Sequence, residues 1–228
     1  MIIGSRQKFT ANNDNDIKVV IDNKEINRVN SAKSLGVTID KNLNWAVHIN
    51  NVVKKVSSAI GALKRVRPFI TFDTAVMVYK SLILPHFDYC SAVWGGISQY
   101  LSDKLQKMQN RAARVVTQTG YETRSHELLE RLCWDKLSIR RDKQKAMLMF
   151  KTARGLVPTY IQNLFNSKET SYQLRNKENS LSLPLPRTEF LKNSFSYSGA
   201  ALWNKLSQAT RSAPSVKQFK LLVESDFP

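Results

Sequence analysis

A mainly α fold, preceded by a small antiparallel β-meander, is what the sequence predicts, α+β overall. Three observations carry this. The hydrophobic pattern alternates with a period of two up to about residue 44 and takes the helical period from residue 45 onward. Helix-breaking residues stand where the helical pattern is interrupted, at Pro68, Pro85, Gly120 and Gly155. A chain of 228 residues with 42% hydrophobic side chains can also bury a real core.

Residues 1–44 hold three β-type runs. Ile17-Lys18-Val19-Val20-Ile21 leads to a turn at Asp22-Asn23 and then to Glu25-Ile26-Asn27-Arg28-Val29. Ser34-Leu35-Gly36-Val37-Thr38-Ile39-Asp40 alternates, which puts Leu35, Val37 and Ile39 on one face. So short a meander is marginal alone and must borrow a core.

Residues 45–165 read as helices. Ile49, Val52, Val53, Val56, Ile60 and Leu63 form one amphipathic stripe that Pro68 stops, with Lys54, Lys55, Lys64, Arg65 and Arg67 mostly off it. A second helix runs from about Thr71 to Leu84 and ends at Pro85. A third runs from about Ser98 to Thr117, capped by Ser98 or Ser102 and closed by Gly120, with Leu101, Leu105, Met108, Ala112 and Val115 inward. Ser125 can cap a short helix, Asp135 a longer one through Phe150, and Pro158 opens another to Phe165. Residues 166–228 form a tail with extended segments at 172–175 and 181–186. Its helices are expected from Phe195 to Leu206 and, capped by Ser215, through Val223.

Charge narrows the class of partner. There are 35 Lys and Arg against 18 Asp and Glu, a net charge of +17, and residues 45–165 hold 19 basic against 8 acidic groups. Such a surface repels itself and suits a polyanion, nucleic acid before an anionic membrane. No run approaches the ~18 apolar residues of a membrane span. The opening Met1-Ile2-Ile3-Gly4-Ser5 does not read as a secretory leader. Cys90 and Cys133 make no disulfide framework and suit a reducing compartment. The expected location is intracellular, cytoplasmic or nuclear, with no membrane partner.

Catalytic patterns are harder to find. His48, His86 and His126 lack partners at metal-ligand spacing, Asp14 and Asp16 sit in an Asn-rich turn, and Gly95-Gly96 reads as a turn rather than a phosphate loop. No catalytic, metal, cofactor or small-molecule site is expected. The basic residues say more. Lys104, Lys107, Arg111 and Arg114 keep to one face of the third helix, and Arg140 with Arg141, followed by Lys143 and Lys145, makes a second cluster. One charged helix face is ordinarily only solvated. Recurrence of one sign on several helices, Lys54 and Lys55 included, points to phosphates tracked by charge rather than bases read by edge. Trp45, Trp94, Trp134 and Trp203 each adjoin an apolar stripe or a helix start, which favours core anchoring over base stacking.

Several phrases, in order, resemble a known family. They are Lys33-Ser34-Leu35-Gly36-Val37-Thr38-Ile39-Asp40, Leu43-Asn44-Trp45 with His48-Ile49, Ile60-Gly61-Ala62-Leu63, Tyr79-Lys80-Ser81-Leu82-Ile83-Leu84-Pro85, Tyr89, Val93-Trp94-Gly95, Leu105-Gln106-Lys107-Met108-Gln109-Asn110-Arg111-Ala112-Ala113-Arg114, Phe195-Ser196-Tyr197-Ser198-Gly199-Ala200-Ala201-Leu202-Trp203-Asn204 and Ser215 to Phe219. Together they are similar to the C-terminal region of non-LTR (LINE-type) retrotransposon reverse transcriptases: the end of the palm, the thumb and the following tail. The resemblance covers nearly the whole chain. It implies a primer-grip-like hairpin at Leu35 and Gly36, a helical thumb-like bundle over residues 45–165, and contact with an RNA–DNA hybrid or other nucleic acid.

The departure from the family matters as much. Polymerisation in these enzymes needs a palm carboxylate and an adjacent Asp-Asp pair that bind two divalent metals. This sequence has no adjacent Asp-Asp. The resemblance therefore implies a truncated fragment that is not itself an enzyme, with a separate polymerase palm and fingers as a possible partner. The other reading is an inert remnant or a protein-interaction module.

Overall fold

The computed structural model describes residues 1–4, 18–168 and 179–227. Ile17, the Asp14 and Asp16 turn and the expected extended segment at 172–175 lie outside the described residues. Among the described residues the chain is mostly helical, with strands confined to two small antiparallel hairpins near its start.

The expected meander is two separate hairpins. β1 (Val20–Ile21) pairs with β2 (Lys24–Glu25) across Asp22 and Asn23, which both take the positive φ of a two-residue hairpin turn. β3 (Ser31–Ser34) pairs with β4 (Val37–Asp40) across Leu35 and Gly36 at φ 44° and 84°. The single alternating strand expected over 34–40 is thus broken by its own turn. Leu35 is 89% exposed at the tip, whereas Val37 is buried against the first helix.

Asp40 ends β4 and organises the turn into the first helix. Its carboxylate accepts from the backbone N–H of Asn42, Asn44 and Trp45, at 3.1, 3.2 and 2.8 Å. Helix α1 (Ala46–Val66) begins there and buries Ile49, Val52, Val56, Ile60 and Leu63, five members of the expected stripe. Beyond a 3-10 turn at Arg67–Phe69 comes α2 (Phe72–Val78), with the Thr71 hydroxyl accepting from Thr74 N–H.

The second helix does not end at Pro85. It widens into a π turn at Tyr79–Ile83 and continues as α3 (Leu84–Asp88). The Leu84 N–H reaches back to the Tyr79 carbonyl, an i to i−5 bond, and Pro85 falls in the first turn of the new segment, where its missing N–H is tolerated. α4 (Ser91–Trp94) follows. Helix α5 (Gln99–Thr117) is closed by Gln118 at φ 54° rather than by Gly120.

α6 (Ser125–Arg131) and α7 (Leu137–Ala153) come next. Neither expected cap is used. The Ser125 hydroxyl accepts from Arg114, and the Asp135 carboxylate takes Lys143, while the Leu137 N–H goes to Gln106 Oε1. After α8 (Thr159–Gln162) the tail supplies α9 (Glu189–Asn193), α10 (Phe195–Lys205), α11 (Gln208–Arg211) and α12 (Val216–Asp226).

Beside a small apolar cluster of Ala113, Leu128 and Leu129, two large ones form the interior of the described residues. One gathers α1, α2, the π turn, α3, α4 and α5 around Trp94, Tyr79 and Leu105. The other packs Ala146, Met149 and Phe150 of α7 against Trp203, Phe219 and Val223 of the tail. Gly199 permits the closest approach, since a Cβ there would meet Met149 Sδ at 2.7 Å. α7 serves both clusters, because Leu137 at its start lies in the first.

Candidate nucleic-acid interface

α1 and α5 lie side by side and run in the same direction. Lys104 Nζ donates to Asn50 Oδ1 at 2.7 Å and Arg111 Nη1 to Ser57 Oγ at 3.3 Å, both with an offset of 54 residues. Helical spacing then puts Asn50, Lys54, Ser57, Gly61 and Lys64 on the α1 side of this seam. Lys104, Lys107, Arg111 and Arg114 line the α5 side. The result is a ridge of cations from two helices with a low floor: a Cβ added to Gly61 would meet nothing within 4 Å. Lys54, Lys64, Lys107 and Arg111 are exposed and Lys104 half-buried. Tyr100, 74% exposed, precedes Lys104 by one turn, and the exposed Tyr121 lies past the other end.

Arg114 is engaged within the fold. Its Nη2 donates to Ser125 Oγ at 3.0 Å and to the Thr123 carbonyl at 3.4 Å, and its guanidinium lies over the Tyr121 ring at 5.3 Å. It ties the loop after α5 to the ridge. Arg67 is likewise internal, donating to the carbonyls of Val116 and Ile70 at 2.9 Å each.

The second expected cluster faces inward. Arg140 makes a two-pronged ion pair with Asp88, both contacts at 2.6 Å. Arg141 is buried, donates to Ser102 Oγ at 2.7 Å and sits over the Trp94 ring, and burial lowers its pKa. Lys143 pairs with Asp135 and Glu224. These residues clamp α7 to α3, α5 and α12. They could not be told from ridge residues by spacing alone, because Asp88, Ser102 and Glu224 lie 52, 39 and 81 residues from the side chains they hold.

Gly36 comes together with Lys54 and Lys55 in one cleft. The Tyr89 hydroxyl donates to the Leu35 carbonyl at 2.6 Å and pins the hairpin tip over α3. Beneath the tip is a cleft of about 410 Å³ lined by Lys33, Lys54, Lys55, His48, His86 and Tyr89. Lys54 thus borders both cleft and ridge. His48 Nδ1 accepts from the Thr38 N–H at 3.3 Å, which places the proton of the neutral ring on Nε2. Burial first, then the Lys55 ammonium, hold both His48 and His86 below the usual imidazole range. Tyr100 carries no signal in the sequence beyond its chemistry, and Lys33 and Tyr89 enter only through the family resemblance; the folded hairpin and ridge bring them in.

Trp94 and Trp203 are buried, and their indole N–H groups donate to the carbonyls of Tyr89 and Asn179 at 2.8 and 2.7 Å. Trp134 stacks on Tyr79 with centroids 3.7 Å apart. Among the described residues no group of three or more His, Cys, Asp or Glu is placed to hold a metal, and no helix is long and apolar enough to cross a membrane.

Two curated proteins of Drosophila melanogaster are similar to part of the chain. One, "Probable RNA-directed DNA polymerase from transposon X-element", is 24% identical over 112 residues, 48% of this chain and 12% of its own length. The other, "Probable RNA-directed DNA polymerase from transposon BS", is 26% identical over 106 residues, 45% of this chain and again 12% of its own. The alignments thus span about an eighth of these relatives' length. No protein-family model matches the chain. No solved structure matches it. Close to half of the chain is therefore related to a short stretch of transposon reverse transcriptases.

Proposed function

We propose that this chain is a fragment of a non-LTR retrotransposon reverse transcriptase, from beyond the polymerase centre, and that it holds an RNA–DNA hybrid or other nucleic acid without regard to sequence. The observation that carries this reading is the ridge. Two parallel helices bring Lys54, Lys64, Lys104, Lys107 and Arg111 onto one face, and among the described residues none of them makes an ion pair. Flexible cations spaced along helices suit a phosphate backbone. The Leu35–Gly36 tip, read as primer-grip-like, and the cleft with Lys33 and Lys55 extend that surface. The missing Asp-Asp pair supports a chain that binds but does not polymerise.

A salt-dependent titration with an RNA–DNA hybrid tests this. Each phosphate neutralised should add a log–log slope of about 0.9 on duplex DNA. Lys107→Gln with Arg111→Gln should weaken binding to all sequences alike and flatten the slope by about two. Unchanged affinity and slope in the folded variant would remove the ridge from the binding face. Primer extension with Mg²⁺ or Mn²⁺ should yield no product, and template-dependent extension by the pure protein would overturn the non-catalytic part.

A second reading has its own support. Val19, Val20, Ile21, Ile26 and Val29 around the β1–β2 hairpin are all exposed. So much uncovered apolar surface suits a protein contact, and a separate polymerase palm and fingers is the partner it would suit under the first reading.

A further inference from the structure

A cavity lies at the end of the ridge where α1 and α5 both begin. It has a volume of about 940 Å³ and is walled by the turn before α1, the start of α5 and helix α9. Gly96 lets α9 close it, since a Cβ there would stand 2.6 Å from the Asn193 carbonyl oxygen. Three aromatic side chains, Trp45, Tyr100 and Phe190, line it together with three amides, Asn42, Asn44 and Asn193. Asn42 Oδ1 is itself buried without a hydrogen-bond partner. The acid at the rim, Glu189, is paired with Lys192 at 2.8 Å.

We infer that this cavity receives unpaired nucleobases at the end of a strand whose backbone follows the ridge. The inference rests on the nucleic-acid reading of the ridge. Continuity argues for it: Tyr100 stands one helical turn before Lys104, so the cations deliver a polyanion to the cavity mouth. Flat aromatic faces stack on any base, and amides can satisfy base edges. The volume falls in the range of sites for small organic ligands, roughly 300–1,000 Å³. The starts of two long parallel helices also place the positive ends of both dipoles beside it. The preferred ligand is therefore a duplex with a short single-stranded extension.

Two probes decide the matter: a blunt RNA–DNA hybrid, and the same hybrid with a four-nucleotide extension carrying 2-aminopurine. The wild-type chain should bind the extended probe roughly 5- to 150-fold more tightly, the contribution of one aromatic stack, and should quench its fluorescence. Tyr100→Ala with Phe190→Ala should abolish both preference and quenching, so that extended and blunt hybrids bind alike. Tyr100→Ala alone, at a largely exposed position, serves if the double variant does not fold, and Tyr100→Phe should keep the preference. Lys107→Gln with Arg111→Gln should weaken both probes by one factor and keep their ratio. Equal wild-type affinity without quenching would overturn the base pocket and leave the ridge standing. A preference that survives loss of the aromatics would overturn it too. Failure to bind either probe at low salt would remove the ridge and the pocket together. Displacement of an extended probe by apolar peptides but not by oligonucleotides would assign the cavity to a protein partner instead.

Discussion

Arg140 and Lys107 have the same charge and similar helical settings, yet the fold uses them in opposite ways. Arg140 holds Asp88 with both prongs of its guanidinium, half withdrawn from solvent. Arg140→Gln should lower stability by roughly 1–2 kcal/mol, seen as a lower thermal midpoint, with nucleic-acid affinity of the folded protein unchanged. Lys107→Gln should do the reverse. A stable Arg140 variant that has lost affinity would move α7 to the binding face. His48 makes a pH-dependent case. Its ring is neutral as it accepts from Thr38, and Lys55 on its own helix, Lys33 on β3, and His86 and Tyr89 from the α3 side share its cleft. The folded pKa lies below the ordinary 6.5, so the unfolded chain takes up the proton first as pH falls. Stability is full above about 6.5 and declines below it, down to the folded value. The thermal midpoint should drop between pH 7.5 and 5.5, and His48→Gln should flatten that drop. His86, shifted the same way, supplies the remainder. An identical pH dependence in the variant would show that His48 is not its source.

At the scale of the element, the β3–β4 hairpin turns on two residues with positive φ, and one of them is leucine. A left-handed conformation costs an L-residue roughly 1–2 kcal/mol, and Leu35 meets that cost while exposing its side chain. Leu35→Asn should therefore raise stability by about 0.5–1 kcal/mol in urea denaturation. Gly36→Ala should lower it by about 1 kcal/mol or more, because φ is +84° and the new Cβ would stand 3.3 Å from Tyr89 Cε1. If Leu35→Asn is destabilising, the leucine side chain makes contacts worth more than the strain. This element also shows what sequence can convey. The α1 stripe was legible because a 3.6-residue apolar period has one physical meaning, and Ile49, Val52, Val56, Ile60 and Leu63 are all buried. The turn at Leu35 was not legible as such from alternation, since leucine is a poor marker of positive φ; only the family resemblance suggested a hairpin there. The passage through Pro85 was hidden for a related reason, because a π turn has no compositional signature.

Across the whole molecule, legibility of the site divides along burial. Spacing put Lys104, Lys107 and Arg111 on one face. It could not set Arg140 and Arg141 apart, whose partners Asp88 and Ser102 lie 52 and 39 residues away. The two apolar clusters share α7, so they should unfold together. Trp94 reports the first cluster and Trp203 the second. With Trp45 and Trp134 also replaced by Phe, variants that keep either Trp94 or Trp203 as the single tryptophan should give one midpoint, coincident with loss of helix by circular dichroism. Two separated midpoints would show that α7 does not couple them.

The parallel course of α1 and α5 bears on how the chain is made. Antiparallel neighbours can zip up from a short loop, but a parallel pair meets only after the chain has travelled back along its own length, here over contacts 54 residues apart. Loop closure is needed before the seam yields any stabilisation. On a ribosome adding about 5–20 residues per second, the apolar stripe of α1 is exposed for several seconds before α5 emerges to cover it. The cations that flank that stripe at Lys54, Lys55, Lys64 and Arg65 keep nascent chains apart by mutual repulsion during the same interval. On this account the basic residues of α1 would guard the unfinished chain before the seam with α5 exists.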